Sequence, residues 1–150
     1  MCKCFKKPKG KESFEIPKVP MSKNDFTDFE LDILELVNYH RREKGLRMCE
    51  FSMELLNIAR PHTLYMIEIN SANHDNFPIR NAQAVENCNA KWLGECVGYG
   101  YGTARGFVQG WLKSAGHREI IESGKAKKFA ISLGFNIKKR PYATLLFIDN

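Results

Sequence analysis

The chain has 150 residues, 43% apolar and 27% charged, which is the composition of one globular domain with a single sizeable core and too little chain for two. No stretch approaches the roughly 18 to 20 uncharged apolar residues that a membrane-spanning helix needs. The net charge of +6 is unevenly spread: residues 1–23 carry seven Lys against Glu12 and Glu15, whereas residues 24–150 are nearly neutral, with 16 Lys plus Arg against 15 Asp plus Glu. This distribution excludes a nucleic-acid-binding domain, which would carry its basic face on the folded part.

Residues 1–27 read as a basic lead-in with Pro8, Pro17 and Pro20, and the folded domain is expected over 28–150. The lead-in has two readings: a solvated tail, or a surface-seeking segment in which Cys2 and Cys4, beside Lys3, Lys6, Lys7 and Lys9, are acylated and hold the protein peripherally on an anionic membrane. It has no apolar h-region, so it is not a secretory signal peptide as written. A first helix is predicted over 28–44. Phe29, Ile33, Leu36, Val37 and His40 recur at helical spacing, acids crowd its start, bases crowd its end, and Gly45 terminates it. Ser52 offers the cap of a second helix carrying Leu55, Ile58, Ala59, His62 and Met66, which Pro61 should kink or divide. Residues 73–80 read as a loop, 83–89 as a short strand, and 94–102 as a glycine-rich connection. Thr103 caps a third helix over 104–114 with Phe107, Val108, Trp111 and Leu112 on one stripe; Gly116 breaks it, and a short helical turn follows. Residues 128–137 alternate with period two, one face buried, and pair antiparallel with 142–148 across Lys138-Lys-Arg-Pro141. The class is α+β.

Five cysteines with no C-x-x-C exclude a zinc ribbon and a dense disulfide framework; a Cys88–Cys96 bridge and buried free thiols both remain open. Gly98-Tyr-Gly-Tyr-Gly102 is not a nucleotide loop, because Thr103 and Arg105 stand where a third glycine is needed. His40 and His62 fall within amphipathic helices, as residues of the core edge. His74 and His117 fall in polar connections, where ligands and acid/base groups concentrate. Glu95 lies alone in an uncharged stretch from Trp92 to Ala104; it is either solvated by a loop or drawn inward to meet a cation or a histidine.

Gly94-Glu-Cys-Val-Gly-Tyr-Gly-Tyr-Gly-Thr-Ala104, followed by Val108-Gln-Gly-Trp-Leu-Lys-Ser-Ala-Gly-His-Arg118, closely resembles the signature of the CAP superfamily, the group of cysteine-rich secretory, antigen 5 and pathogenesis-related-1 proteins. Leu36-Val-Asn-Tyr-His-Arg-Arg-Glu-Lys-Gly-Leu46 is similar to that family's first helix. The resemblance implies a three-layer α–β–α sandwich around a central antiparallel sheet. It implies a shallow cavity in which His74, Glu95 and His117 stand where the family has cavity residues able to hold zinc or another divalent cation. It also implies a non-catalytic binding module for a lipid, a sterol or a protein partner. The alternative is a zinc-dependent hydrolase or protease using metal-bound water, with Glu95 as base. Members are typically extracellular. Three departures stand out: the family's second acidic residue is absent from Phe77-Pro-Ile-Arg80, Cys96 replaces an Asn, and Ala115 replaces a Pro.

Overall fold

A computed structural model describes residues 27–150; the basic segment, with Cys2 and Cys4, lies outside the described residues. The first helix, α1 (Asp28–Glu43), starts on a capping box: Thr27 accepts from the Glu30 backbone N–H, and the Glu30 carboxylate accepts from the Thr27 N–H. It stops at Lys44, and Gly45 turns the chain away with φ +72°, a conformation that costs glycine nothing. A two-residue strand, β1 (Glu50–Phe51), leads into α2 (Met53–Ile69), capped by Ser52 and closed by Asn70 in the left-handed region. Then come α3 (Phe77–Cys88), β2 (Leu93–Tyr99), α4 (Ala104–Lys113), α5 (Ala115–Ile121) and the hairpin β3 (Lys128–Phe135) and β4 (Pro141–Ile148).

The four strands form one sheet in the order β1-β3-β4-β2. The long pairs β3–β4 and β4–β2 are antiparallel, with Cys96 opposite Leu145 and Ile131 also opposite Leu145; only the short β1–β3 pair is parallel. Strand alternation divides the helices between the two faces. Thr144 bonds Thr63 of α2, so Glu95, Val97 and Tyr99, which share its face, point toward α2, against which α3 packs. Gly94, Cys96 and Gly98 point the other way, toward α4 and α5, which lie with α1 on the second face. The result is the expected three layers. With helices on both faces, all eight residues of β4 are buried, and β3 is buried at Phe129, Ala130, Ile131 and Ser132 in succession. The single buried face expected of the hairpin is therefore corrected: both faces are core.

Other expectations are corrected as well. Residues 77–88 are a helix, not a loop and a strand. Pro78 suits a first turn because its missing N–H has no helical partner there, and α3 buries only Arg80 and Ala84, too few to print an apolar stripe. Pro61 does not divide α2, which runs as one helix from Met53 to Ile69. Pro61 and Asn57, whose carbonyl loses its donor, are both exposed to water, while the same helix buries Leu55, Leu56, Ile58, Ala59, Thr63 and Met66 along its length. The break between the third helix and the turn after it falls at extended Ser114, and Gly116 lies in the first turn of α5. Much of the glycine-rich connection is β2. Its glycines admit close packing: a Cβ on Gly94 would stand 2.7 Å from Ile120 Cγ2, and one on Gly98 would stand 2.9 Å from the Phe107 ring. The Cys88–Cys96 bridge is not formed. Cys96 faces α5, Cys88 ends α3 on the opposite layer, and both are free thiols, as is buried Cys49.

Two polar side chains of α1 fasten the connections around the sheet. Asn38 pairs with the Cys49 backbone in both directions, donating at 2.9 Å and accepting at 2.8 Å. Arg41 is wholly buried and donates to four carbonyls: Arg47 at 2.9 Å, Ile121 at 2.8 Å, Ser123 at 2.9 Å and Ala126 at 3.2 Å. These carbonyls lie at the end of α5 and in the connections before β1 and β3, so one guanidinium fastens three segments to α1. Lysine cannot reproduce that fork. Arg41→Lys is expected to destabilise the protein by about 2–4 kcal/mol and Arg41→Met by at least as much, since several buried carbonyls lose their donor. Urea denaturation with matched m-values measures it.

Candidate functional site

Three residues singled out in the sequence meet at β2, the edge strand of the sheet. Glu95 projects from the middle of β2 toward α3. His74 sits in the turn between α2 and α3, shaped by Asn73, whose side chain accepts from the Asp75 N–H at 2.9 Å. His117 is the third residue of α5 on the other layer, and the Cys96 thiol donates toward its carbonyl at 3.8 Å. His74 Nδ1 is 2.8 Å from Glu95 Oε1, and the His74 and His117 rings are 6.3 Å apart between centroids. The two imidazoles thus come together around the strand that carries the carboxylate.

A fourth residue decides the chemistry. Arg80, from α3, makes a fork on Glu95: Nε to Oε2 at 2.6 Å and Nη2 to Oε1 at 2.7 Å, while Nη1 donates to the Asp75 carbonyl at 2.6 Å. The side chains are almost fully buried, 5% exposed for Arg80 and 1% for Glu95. Burial alone would raise the Glu95 pKa, but the hydrogen bonds from His74 and Arg80 and the guanidinium charge outweigh it and hold the carboxyl below its ordinary range. Glu95 is therefore ionised and only accepts. It fixes the His74 tautomer with the proton on Nδ1 and leaves Nε2 turned away from the carboxylate. The inward reading of Glu95 is the one observed, and it meets both a cation and a histidine.

Behind this group, buried His62 donates Nε2–H to the Asn73 carbonyl at 2.7 Å and stacks on Tyr65, whose hydroxyl donates to Asp75 at 2.8 Å. These bonds hold the turn that carries His74. Burial lowers the pKa of His62 and of His117, the latter also through the neighbouring His74. His40 lies elsewhere, tying α1 to Glu122 at 2.8 Å.

As a three-ligand metal centre, His74, Glu95 and His117 do not fit. Both Glu95 oxygens are taken by hydrogen-bond donors, and a divalent cation there would lie against a guanidinium. Among the described residues no group of three or more His, Cys, Asp and Glu is arranged to hold a metal ion. Sequence reading passed over Arg80, although it closes the segment where the family's second acid is missing; Lys91, nearer to Glu95 along the chain, is not the cation that meets it.

Breaking the pair from one side should be costly. Arg80→Met leaves a buried carboxylate and is expected to lose about 3–5 kcal/mol in urea denaturation, part of which the double variant Arg80→Met/Glu95→Gln recovers. Acid should also destabilise the fold. His62 and His117 have folded pKa values below 6.5, and Glu95 has one below 4.5, so in each case the unfolded chain binds protons first. Stability is fully present above pH 6.5 and falls as pH drops, first through the two histidines and then, below 4.5, through the carboxylate. His117→Gln should flatten the first part of the curve and Glu95→Gln the second.

The family model of the cysteine-rich secretory protein family, CAP, matches residues 34–144. No individual curated protein sequence gives a significant match. Among solved structures, an extracellular SCP-domain protein of Bacillus anthracis superposes with a TM-score of 0.69 at 19% identity over 89% of this chain and 45% of its own. An outer surface protein of Borrelia burgdorferi gives 0.72 at 17%, covering 83% of this chain and 96% of its own. A cysteine-rich secretory protein of Staphylococcus aureus gives 0.62 at 21%, covering 89% and 42%. The chain thus spans less than half of the Bacillus and Staphylococcus proteins, and at these identities the likeness is one of fold. With the family model matched over most of its length and the sandwich built as above, the chain belongs to the CAP family.

Proposed function

We propose that this CAP domain is a non-catalytic recognition module and that the surface around His74 and His117 contacts its ligand, a polypeptide partner. The observation that carries this reading is the Arg80 fork on Glu95. A general base needs a lone pair free to take a proton, and a carboxylate bound by three donors with a depressed pKa is a poor one. The hydrolase alternative, with metal-bound water and Glu95 as base, therefore loses its base and its third ligand together. What the site does offer is two ring faces and His74 Nε2, on a side chain that is 51% exposed. A half-exposed ring on a firmly braced turn, with a second ring beside it on α5, suits a macromolecular surface better than a small enclosed substrate.

Three measurements test this. Labelled casein should remain uncut at high protein and zinc concentration; cleavage that disappears in Glu95→Gln would restore the hydrolase. Calorimetric titration with zinc should give the wild type no more saturable heat than the His74→Ala/His117→Ala variant. Peptides selected from a displayed library on the wild-type protein should lose at least about tenfold in affinity for that double variant, by analogy with contact residues elsewhere. If the selected peptides bind both proteins equally, the ligand face lies elsewhere.

A further inference from the structure

We infer that the turn joining β3 and β4 is a docking point for an anionic lipid bilayer, with Lys138, Lys139 and Arg140 meeting the headgroups and Ile137 and Phe135 entering the interface. The turn is built rather than slack. Asn136 Oδ1 accepts from the N–H groups of Lys138 and Arg140 at 3.0 and 2.9 Å, the Asn136 N–H donates to the Arg140 carbonyl at 3.0 Å, and Lys139 takes φ +59°. This bracing projects three consecutive cations, all exposed, and none forms an ion pair among the described residues. Just before them Ile137 is 99% exposed and Phe135 54%, an apolar tip that the other described residues leave open. Tyr99, at the same end of β2, is also exposed, and the Gly100 N–H donates to the Pro141 carbonyl at 2.8 Å, so the Tyr99–Tyr101 segment adjoins the hairpin. Aliphatic tips rimmed by Lys, Arg and Tyr are the chemistry of a membrane interface.

Charge favours a bilayer as the occupant. The Leu133 N–H donates to Glu30 Oε2 at 3.2 Å, so the start of α1, where residues 1–26 join the fold at Thr27, lies beside this end of β3. Those residues carry seven Lys against Glu12, Glu15 and Asp25. Most of the chain's excess positive charge therefore attaches at the hairpin end, which a broad, flat anionic surface accommodates whatever path the segment takes. The site is separate from the histidine face, since Tyr99 stands four residues along β2 from Glu95, roughly 13 Å at the rise of a strand.

The test is flotation of the full chain with phosphatidylcholine vesicles, with and without phosphatidylserine, at low and high salt. The wild type should float with the serine-containing vesicles only, and salt should release it. Lys138→Ala/Lys139→Asn/Arg140→Ala should weaken partitioning roughly 100-fold, about fivefold per cation. Phe135→Ser/Ile137→Ser should weaken it as well, and circular dichroism melting shows whether each variant keeps its fold. His74→Ala/His117→Ala should float like the wild type, which separates this result from that of the histidine face. The inference is overturned if the wild type ignores anionic vesicles, as it would if an acidic protein were the true occupant, or if either hairpin variant floats unchanged.

Discussion

A carboxylate placed almost wholly inside a protein must be neutralised, and the group that does so determines what its surroundings can become. In this chain the group is the Arg80 guanidinium, forked on Glu95 from a neighbouring helix. The pair closes the net charge at the floor of the histidine site, sets the tautomer of His74 and ties α3 to the edge strand in one step. A divalent cation could have neutralised the same carboxylate, but its oxygens are already taken by the His74 and Arg80 donors. With arginine there, both carboxylate oxygens are held by hydrogen-bond donors.

The scaffold around that pair follows a consistent logic. The sheet is covered on both faces, so β4 and the middle of β3 contribute only core, and exposed groups are found at the edge strand and the ends. At β2 the alternation of side chains sends Glu95 to one layer and Cys96 to the other. The site therefore draws on both layers, with His74 ahead of α3 and His117 on α5. Arg41 and Asn38 serve the opposite part of the molecule, satisfying backbone groups in connections too irregular to satisfy their own. Polar side chains here do what more strands would do in a larger sheet.

The hairpin end has the contrary character. It leaves apolar and cationic groups in water, on a turn whose bonds to Asn136 are too well formed for the arrangement to be loose. The two faces differ in chemistry, one built on imidazoles around a buried ion pair and one on cations and aliphatic carbon.

Much of this was determined by the sequence alone. Apolar residues at helical spacing and acids and bases at opposite ends specify α1; period-two alternation around Lys138-Lys-Arg specifies the hairpin; and the ordered run from Gly94 to Arg118 specifies the family. These are local signals, carried by residues a few positions apart. Helix α3 left no such signal, because only Arg80 and Ala84 are fully buried while its apolar Ile79 and Val85 face water. The glycines of β2 looked like a flexible connection because the side chains they make room for, Ile120, Phe107 and Trp111, lie on helices distant along the chain. His74, Glu95 and His117 could be named from the sequence, but not the distances between them, nor which cation would reach the carboxylate first. That depends on how α3 packs and which face of β2 Glu95 occupies, and only the folded arrangement decides both, because electrostatic partnership inside a protein is settled by distances of a few ångströms rather than by separation along the chain.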